Sequence, residues 1–467
     1  MDSRWTLIMT IAAITFAYSF RRRRTPPLPL GPRGLPIVGN ILDVPTSQPW
    51  LKFAKLGEIW GEISSLTVLG QTMIIVNSLE VAEDLLETHG VNFSDRPVLP
   101  MAGELMGFDN IVTLVQYGDR VKRERKLYHQ LFGNSTSIIS RFGPLLTSEV
   151  HKFLQSLLGK PEEALKLIER MTGAITVMDT GPFSQQATVD TSCEHVKEQL
   201  AAGNIEPSFT ASLLEEGSHE EYLIKWAAFV IQGGGADTVC LHSFVPRRFV
   251  NIPPTKSSAQ IKAFFRAMSL YPEVQAAAQK DIDAVVGTDR LPDISDRGRL
   301  PYVNALCKEI LRYHVSVPTG FAHRARADFI YERGEGATPM LIPKDSFVIP
   351  NIWKMTHDPA RYTNPMVFDP ARFIEKTGKA AELDPTRISF GFGRRICPGK
   401  VLAETILFLT CSAVLSVFNI SKARENGIII EPPLGQTTGT MSHPLPFKCS
   451  VEPRNDRAAA LIRSAYP

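Results

Sequence analysis

The sequence predicts a mainly α-helical protein with a small β region, carried on an N-terminal transmembrane helix. Three observations lead to this prediction: an uncharged apolar segment at the N-terminus, a long apolar helical stretch near the C-terminus, and a glycine-rich loop with one cysteine directly before that stretch. The length of 467 residues is compatible with one large domain around a buried cofactor. We therefore predict an anchor at 1–20, a basic and proline-rich hinge at 21–40, and one folded domain at 41–467.

The N-terminal segment from Trp5 to Phe20 is mostly apolar and carries no charge. Four arginines, Arg21 to Arg24, follow it directly, whereas only Arg4 precedes it. A secretory signal carries its positive charge before the apolar run. Positive charge on the C-terminal flank instead keeps that side of a membrane helix in the cytoplasm. We therefore predict a retained anchor, with cleavage near Ala17-Tyr18-Ser19 as the alternative.

Composition and charge exclude several classes of protein. Hydrophobic residues make up 44% and charged residues 21% of the chain, which is ordinary for a globular protein. The net charge of +3 is too small to indicate nucleic-acid binding. Without any CxxC pair, the six cysteines favour a reducing compartment over a disulfide or zinc framework. Five of them are expected to be small buried hydrophobic residues: Cys193, Cys240, Cys307, Cys411 and Cys449.

The sixth cysteine, Cys397, lies in the loop FGFGRRICPG at 390–399, before the apolar run Val401 to Val417. A thiolate needs nearby positive charge or backbone N–H donors, and a helix that starts after it adds its positive dipole end. Glycines allow backbone to approach a flat cofactor, and Pro398 suits a first helical turn. A dinucleotide-binding loop is the alternative, but Ile396 stands where its third glycine should be.

This loop resembles the haem-binding signature FxxGxRxCxG of the cytochrome P450 superfamily. Phe390, Gly393, Arg395, Cys397 and Gly399 fill its five fixed positions. The resemblance implies the cytochrome P450 fold and haem b, with Cys397 as the thiolate ligand of the iron. It also implies that Arg395 pairs with a haem propionate and that the other signature residues bind the cofactor.

Further segments match the family in the same order along the chain. Glu309 and Arg312 match the ExxR motif, and Arg372 lies in the later PxRF element. The resemblance implies that these three form a buried ion triad that supports the cysteine loop. Charged groups survive burial only when they are paired.

Two more residues are expected to bind the haem propionates. Arg125 corresponds to the arginine of the family motif WxxxR, although Val121 stands where an aromatic residue is usual. His323 follows the ExxR helix on a strand that offers a propionate partner in the family. An ordinary strand histidine is the alternative for His323.

The segment Gly234-Gly235-Ala236-Asp237-Thr238 resembles the oxygen-activating part of the family's I helix. Adjacent glycines weaken a helix and favour a local opening. The resemblance implies that Asp237 and Thr238 are the catalytic residues and relay protons during oxygen activation.

The chain departs from the family pattern at two places. Residues 239–260 include three prolines where the I helix should continue, which indicates an insertion of about 18 residues, and a retained intron is one origin for it. Residues 174–198 are too few for the helices that cover the substrate in the family. A truncated gene model or a degenerating paralogue would explain the shortening.

The resemblance implies a monooxygenase that inserts one atom of O2 into a lipophilic small molecule, a secondary metabolite or a xenobiotic. Electrons would come from NADPH through NADPH–cytochrome P450 reductase, with cytochrome b5 as a further partner. The segments Asp95-Arg96-Pro97 and Met101 to Glu104 resemble fungal microsomal members. Such an enzyme is anchored in the endoplasmic reticulum membrane with its catalytic domain in the cytosol.

Two alternatives to this function remain. One is a haem-binding but catalytically impaired cytochrome P450, and the other is a family member that isomerises its substrate without external electrons. Substrate contacts are expected near Met101, near Phe321 and near the turn at Thr440, in addition to the two altered segments.

Overall fold

The computed structural model describes residues 26–105, 107–176, 193–194, 196–203, 209–217, 220–236, 259–334, 336–375 and 377–465. The predicted anchor at 1–20 lies outside these residues, and so do Asp237 and Thr238. The same holds for nearly all of the segment 239–260 and for most of the segment 174–198. All structural statements below concern the described residues.

The described chain is mainly helical, as the sequence predicts. Side-chain caps fix several helix starts: Asn134 accepts a hydrogen bond from the Ser137 N–H, and Asn455 accepts one from the Ala458 N–H. The principal α-helices are α1 (Pro49–Trp60), α2 (Leu79–Glu83), α3 (Asp119–Phe132), α4 (Ser135–Gly159), α5 (Ala164–Thr176), α6 (Phe209–Glu216), α7 (Glu221–Ala236), α8 (Ala259–Leu270), α9 (Pro272–Val285), α10 (Pro301–Tyr313), α11 (Ile352–Thr356), α12 (Lys400–Val417) and α13 (Asp456–Ser464).

The β region is small. Its strands are β1 (Ile63–Val68), β2 (Gln71–Val76), β3 (His323–Arg324), β4 (Phe329–Tyr331), β5 (Met340–Ile342), β6 (Phe347–Pro350), β7 (Phe418–Lys422), β8 (Arg424–Glu425), β9 (Ile428–Ile429) and β10 (Cys449–Pro453). Four of these strands form one sheet in the order β1-β2-β6-β3. The pairs β4–β5, β7–β10 and β8–β9 are separate two-stranded sheets.

The four-stranded sheet is pinned by its register. Strands β1 and β2 form an antiparallel hairpin in which Ile63 pairs with Val76, and β2 runs parallel to β6. Ile74 and Ile75 point to opposite faces of β2, and both are fully buried. Both faces of this strand are therefore covered by protein. The sheet brings β3, which carries His323, into a fixed position beside β6.

Helix α12 lies in the centre of the helical core. It begins at Lys400, one residue before the predicted start, and its residues from Leu407 to Leu415 are all buried. Among the described residues it is the helix that is long and apolar enough to cross a bilayer, yet 61% of it is buried inside the protein. It packs against α4, α9 and α10, as the core helix of a globular domain does.

Two sequence predictions about helix boundaries can be compared with the structure. Helical structure returns at Ala259, close to the predicted Ile261. Pro398 does not lie in the first turn of α12, because the helix starts only at Lys400 after Gly399. The prediction for Pro398 was therefore wrong by two residues, and the proline shapes the loop instead of the helix.

Candidate functional site

The candidate site begins with Cys397, in the loop between the turn Gly393–Arg395 and α12. Its backbone N–H donates to the Phe390 carbonyl oxygen at 2.8 Å, which closes the loop. The residue is exposed, yet burial of the sulfur among protein atoms raises the pKa of its thiol. The Gly399 N–H and the Arg125 guanidinium act in the opposite direction and favour the thiolate. The sulfur therefore faces open space on one side and thiolate-stabilising groups on the other.

The glycines of the loop serve different purposes. Gly393 has a φ of 55°, and a Cβ at this position would overlap the carbonyl oxygen of Leu86. Protein backbone alone therefore requires a glycine here, and the cofactor-binding role of Gly393 stays a prediction. A Cβ on Gly399 would lie at an ordinary contact distance of 3.9 Å from the Cys397 sulfur. Phe390 is half-buried, and the Lys400 amino group lies 5.9 Å from its ring centre.

Arg125 on α3 reaches the cysteine loop directly. Its Nη1 donates to the carbonyl oxygen of Ile396 at 2.8 Å, one residue before Cys397. Burial lowers the pKa of this guanidinium, and the nearby Cys397 raises it. Helix α3 thus brings a positive charge near the sulfur, in addition to the propionate role that is predicted for Arg125. Val121, one turn earlier on the same helix, is fully buried.

Arg395 is held by three backbone carbonyl groups. Its guanidinium donates to Ser94 at 2.8 Å, to Val112 at 2.9 Å and to Val115 at 2.6 Å. These acceptors lie in a loop region almost 300 residues earlier in the chain. The contacts fix the guanidinium without cancelling its charge, because carbonyl groups are neutral acceptors.

Arg96 is a site residue that sequence analysis missed. It is buried, and its Nη1 donates at 2.8 Å to the carbonyl oxygens of Phe321 and Ala322, while its Nε has no partner. Burial and the charges of Arg395 and Arg125 lower its pKa to about 9. In the sequence, Arg96 follows an aspartate, and such a neighbouring pair is usually a surface feature. The sequence contains no signal that distinguishes it from one.

His323 is buried on β3, as expected for a strand residue. Its Nδ1 lies 2.6 Å from the Phe93 carbonyl oxygen, so Nδ1 carries the proton and Nε2 is an acceptor in the neutral ring. Burial, together with the charge of Arg96, lowers the pKa of His323 well below its usual range. The propionate role of His323 stays a prediction, and the neighbouring Arg96 is a further candidate for the same role.

The three guanidiniums of Arg96, Arg125 and Arg395 form what we call the arginine cluster. Burial and the charge of Arg125 lower the pKa of Arg395 to about 10. In the part of the chain that the structure describes, none of the three forms an ion pair with a carboxylate. Arg96 is buried and the other two are half-buried, and their partners are neutral carbonyl groups, so no contacting carboxylate of the described chain balances the positive charge of the cluster. The positive charge of the cluster fits a cofactor that carries carboxylate groups, and haem is such a cofactor.

The structure brings together the predicted ion triad of Glu309, Arg312 and Arg372. Glu309 accepts from Arg312 Nε and Nη2, both at 2.7 Å, and from Arg372 at 3.3 Å. All three side chains are buried, and Glu382 joins as a fourth member through Arg372 at 2.8 Å. Their remaining donors bind carbonyl groups of the segment 356–367. The support that the triad is expected to give to the cysteine loop stays a prediction.

A cavity of about 340 Å³ lies beside the arginine cluster, and Arg96 belongs to its wall. Its lining is mostly apolar, with the hydroxyl groups of Thr113, Thr319 and Thr440 as polar exceptions. Phe321 and Thr440, two of the expected contact positions, line this cavity. Met101, the third, is 67% exposed and is not part of the wall, although the nearby Leu99 is.

Four cysteines described by the structure, other than Cys397, are free and at least partly buried, as the sequence predicts: Cys193, Cys307, Cys411 and Cys449. The described residues contain no group of three or more His, Cys, Asp or Glu side chains that could hold a metal ion. Asp237 and Thr238 lie outside the described residues.

Comparison with known protein families gives a match to cytochrome P450. The family model matches residues 29–196 and 255–451, which is most of the chain. The unmatched stretch 197–254 includes Asp237, Thr238 and the three prolines of the predicted insertion.

Curated fungal proteins match nearly the whole chain. Cytochrome P450 monooxygenase 208 of Postia placenta is 38% identical over 519 residues, covering 98% of this chain and 96% of its own. Cytochrome P450 monooxygenase claR of Ampulloclitocybe clavipes is 40% identical over 509 residues, covering 96% of this chain and 90% of its own. Both alignments are longer than the 467 residues of this chain, so the relatives contain stretches without a counterpart here.

A solved structure has the same fold. A zebrafish cytochrome P450 structure with abiraterone superposes with a TM-score of 0.67 at 22% sequence identity. The match covers 87% of this chain and 100% of the zebrafish chain. At this identity the comparison supports the fold alone, including the mainly helical architecture with a small β region.

Proposed function

This chain belongs to the cytochrome P450 family, and from that membership we propose a haem-thiolate monooxygenase in which Cys397 holds haem b. The proposed reaction inserts one atom of O2 into a lipophilic small molecule, a secondary metabolite or a xenobiotic, with electrons from NADPH. The observation that carries this proposal is the arginine cluster beside the cysteine loop, which has no carboxylate partner within the described chain.

Cys397 is the proposed thiolate ligand. When bound, the haem supplies the iron at which O2 is activated. The Gly399 N–H and the Arg125 guanidinium stabilise negative charge on the sulfur, so they favour the ionised form that a metal ligand requires. Both groups also moderate how much electron density the sulfur can donate.

The arginine cluster is the proposed binding site of the haem propionates. Arg125 and Arg395 are the residues predicted from the family motifs, and Arg96 is the addition from geometry. The unpartnered Nε of Arg96 and the burial of its side chain support this assignment. His323 would then serve mainly as packing beside the cluster, with Nδ1 committed to the Phe93 carbonyl group. Guanidinium–carboxylate pairs are among the strongest hydrogen bonds available for this purpose.

Asp237 and Thr238 are the proposed proton-relay residues, from the family resemblance alone. Helix α7 ends at Ala236, directly before them, and its last turns contain Gly233, Gly234 and Gly235. Each glycine in a helix interior costs roughly 1 kcal/mol relative to alanine, so this end of the helix is weak.

The 340 Å³ cavity is the proposed entrance to the substrate site. Its wall is apolar enough to favour a lipophilic molecule, and Arg96 connects it to the arginine cluster. The three threonine hydroxyls offer a few hydrogen bonds to a substrate that carries oxygen.

The proposed electron donor is NADPH–cytochrome P450 reductase, with cytochrome b5 as a second donor. Exposed basic residues lie near the cysteine loop, on α3 and beside Cys397, namely Lys122, Arg123, Lys126 and Arg394. Such a patch fits an acidic partner surface and would speed its association at low ionic strength.

We propose an endoplasmic reticulum location through residues 1–20, with the domain on the cytosolic side. An apolar patch supports membrane contact soon after that segment: Ile37 is 94%, Leu42 78% and Leu69 68% exposed. The segments that carry these residues are joined, because Leu69 N–H donates to the Val38 carbonyl at 3.3 Å and Asn40 N–H to the Thr67 carbonyl at 2.7 Å. Exposed apolar side chains in one place mark a lipid or protein contact.

A second candidate function is haem binding without efficient turnover. The family model leaves residues 197–254 unmatched, and the relatives contain stretches that have no counterpart in this chain. Both observations favour this candidate. A shortened cover over the substrate would admit water and weaken substrate positioning.

An isotope experiment separates the two functions. The full chain is incubated in membranes with NADPH, a reductase and a set of lipophilic compounds under 18O2. A monooxygenase gives products that carry one 18O atom, and the Cys397→Ser variant gives none. An impaired haem protein retains its haem spectrum and yields no labelled product with any compound.

A further inference from the structure

Tyr117, two residues before α3, lies close to two guanidiniums of the cysteine loop. The Cζ atom of Arg395 is 5.6 Å from the centre of its ring, and that of Arg394 is 5.4 Å away. Both distances are within the range of cation–π attraction. Arg394 is exposed and Arg395 is half-buried, so the ring lies at the border between solvent and the arginine cluster.

The ring stabilises the charge of Arg395 without placing a negative charge beside it. This guanidinium has no carboxylate partner and lies near Arg125, another cation. A carboxylate in contact with it would stabilise the charge but would also compete with any anionic ligand. The face of an aromatic ring attracts a cation while carrying no net charge. The cation can therefore be stabilised and still remain available to a carboxylate of the cofactor.

The backbone of Tyr117 is fixed independently of its ring. Its N–H donates to Asp95 Oδ1 at 2.9 Å, and its carbonyl oxygen accepts from Arg326 Nη2 at 2.9 Å. Arg326 also pairs with Asp95 at 2.9 Å, so this carboxylate, whose charge acts on Arg395, is engaged by Arg326. The position of the ring is thus set by contacts that substitutions of its side chain leave in place.

Within the described residues, the ring of Tyr117 supplies the cation–π contact to Arg395. Val121 at the start of α3 is fully buried and aliphatic. We propose that Tyr117 is a positioning residue whose ring holds Arg395 charged and oriented toward a haem carboxylate. This inference rests on the proposed haem site.

The test measures the rate at which the purified full chain loses haem to excess apomyoglobin. Tyr117→Leu should lose haem roughly three- to tenfold faster than the wild type, whereas Tyr117→Phe should stay close to it. Tyr222→Leu is the matched control, because its ring lies 5.1 Å from the Arg120 guanidinium, away from the loop. This control should leave the rate unchanged.

A fluorinated series keeps the test decisive if Tyr117→Leu does not fold. Phenylalanine, its 4-fluoro form and its 3,4,5-trifluoro form at position 117 have nearly the same shape but increasingly weak ring quadrupoles. The rate of haem loss should rise along this series. A flat series, or equal rates for Tyr117→Leu and wild type, would overturn the inference. Absence of haem from the wild type would instead refute the proposed function.

Discussion

The Arg125 guanidinium donates a hydrogen bond of 2.8 Å to the carbonyl oxygen of Ile396, the residue directly before Cys397. The two bonded residues are 271 positions apart in sequence, and this bond joins helix α3 to the cysteine loop. One side chain therefore both supports the loop and brings positive charge to the sulfur.

Replacement of Arg125 by glutamine should reduce haem content. The variant loses a charged donor to the loop and a cation beside the sulfur, and hydrogen bonds from charged groups contribute roughly 1.5–3 kcal/mol. The haem-to-protein ratio of purified protein measures the effect. Lys126→Gln, the exposed neighbour on the same helix, should retain the wild-type ratio. Equal ratios for Arg125→Gln and wild type would contradict the assignment.

Replacement of Arg96 by methionine should weaken haem binding roughly ten- to a hundredfold. In the haem-free protein the same change should be tolerated better, because it removes an unpaired buried charge. Thermal unfolding with and without haem separates the two effects: the stabilisation by haem should shrink. Arg141→Met, an exposed arginine 3.7 Å from Glu216, should leave that difference unchanged. A variant that keeps the full stabilisation would show that Arg96 has no anionic partner.

Glu309→Gln should destabilise the fold by about 3–5 kcal/mol, because it leaves two buried guanidiniums without their shared carboxylate. Urea unfolding followed by circular dichroism measures this. Glu431→Gln breaks an exposed pair with Lys422 and should cost less than about 1 kcal/mol. Similar losses for both variants would show that the buried triad is no more important than a surface pair.

The side chain of His357, which is buried and neutral, should make the folded protein less stable in acid. Burial lowers its pKa to about 3 in the folded chain, against about 6.5 when unfolded. Between these values only the unfolded chain takes up the proton, so stability is present above pH 6.5 and is lost as pH falls. The contribution is about 1.4 kcal/mol per pH unit. The free energy of unfolding of His357→Gln should fall less steeply below pH 6.5. Parallel curves would refute the assignment.

Filling the cavity should block ligands while sparing the haem. Thr440→Phe adds a ring to its wall, and overpacking of this kind should weaken binding of a hydrophobic azole by about tenfold. Optical titration of the haem band measures the affinity. Leu434→Phe is the control, because Leu434 is 64% exposed and does not line the cavity. Unchanged affinity in Thr440→Phe would place ligand entry elsewhere.

The cysteine loop and the ion triad could be predicted from the sequence because short sequence motifs identify their residues. The positions of Glu309 and Arg312 on one helix, and the loop around Cys397, need no knowledge of distant contacts. The fold class followed from the same motifs through the family resemblance.

The role of Arg96 could not be predicted, because it arises only when segments 30 and 300 residues away converge on it. The same holds for the ring of Tyr117, whose neighbours Arg394 and Arg395 are almost 280 residues later. The hydrogen bond of His323 to the Phe93 carbonyl group also depends on strand packing.

The reduced, carbon monoxide-treated absorption spectrum tests the central claim most directly. The account predicts the Soret band of a haem-thiolate complex for the wild-type chain and for Cys449→Ser, and its loss in Cys397→Ser. A wild-type chain without that band, or a Cys397→Ser variant that retains it, would contradict the proposal that Cys397 is the ligand.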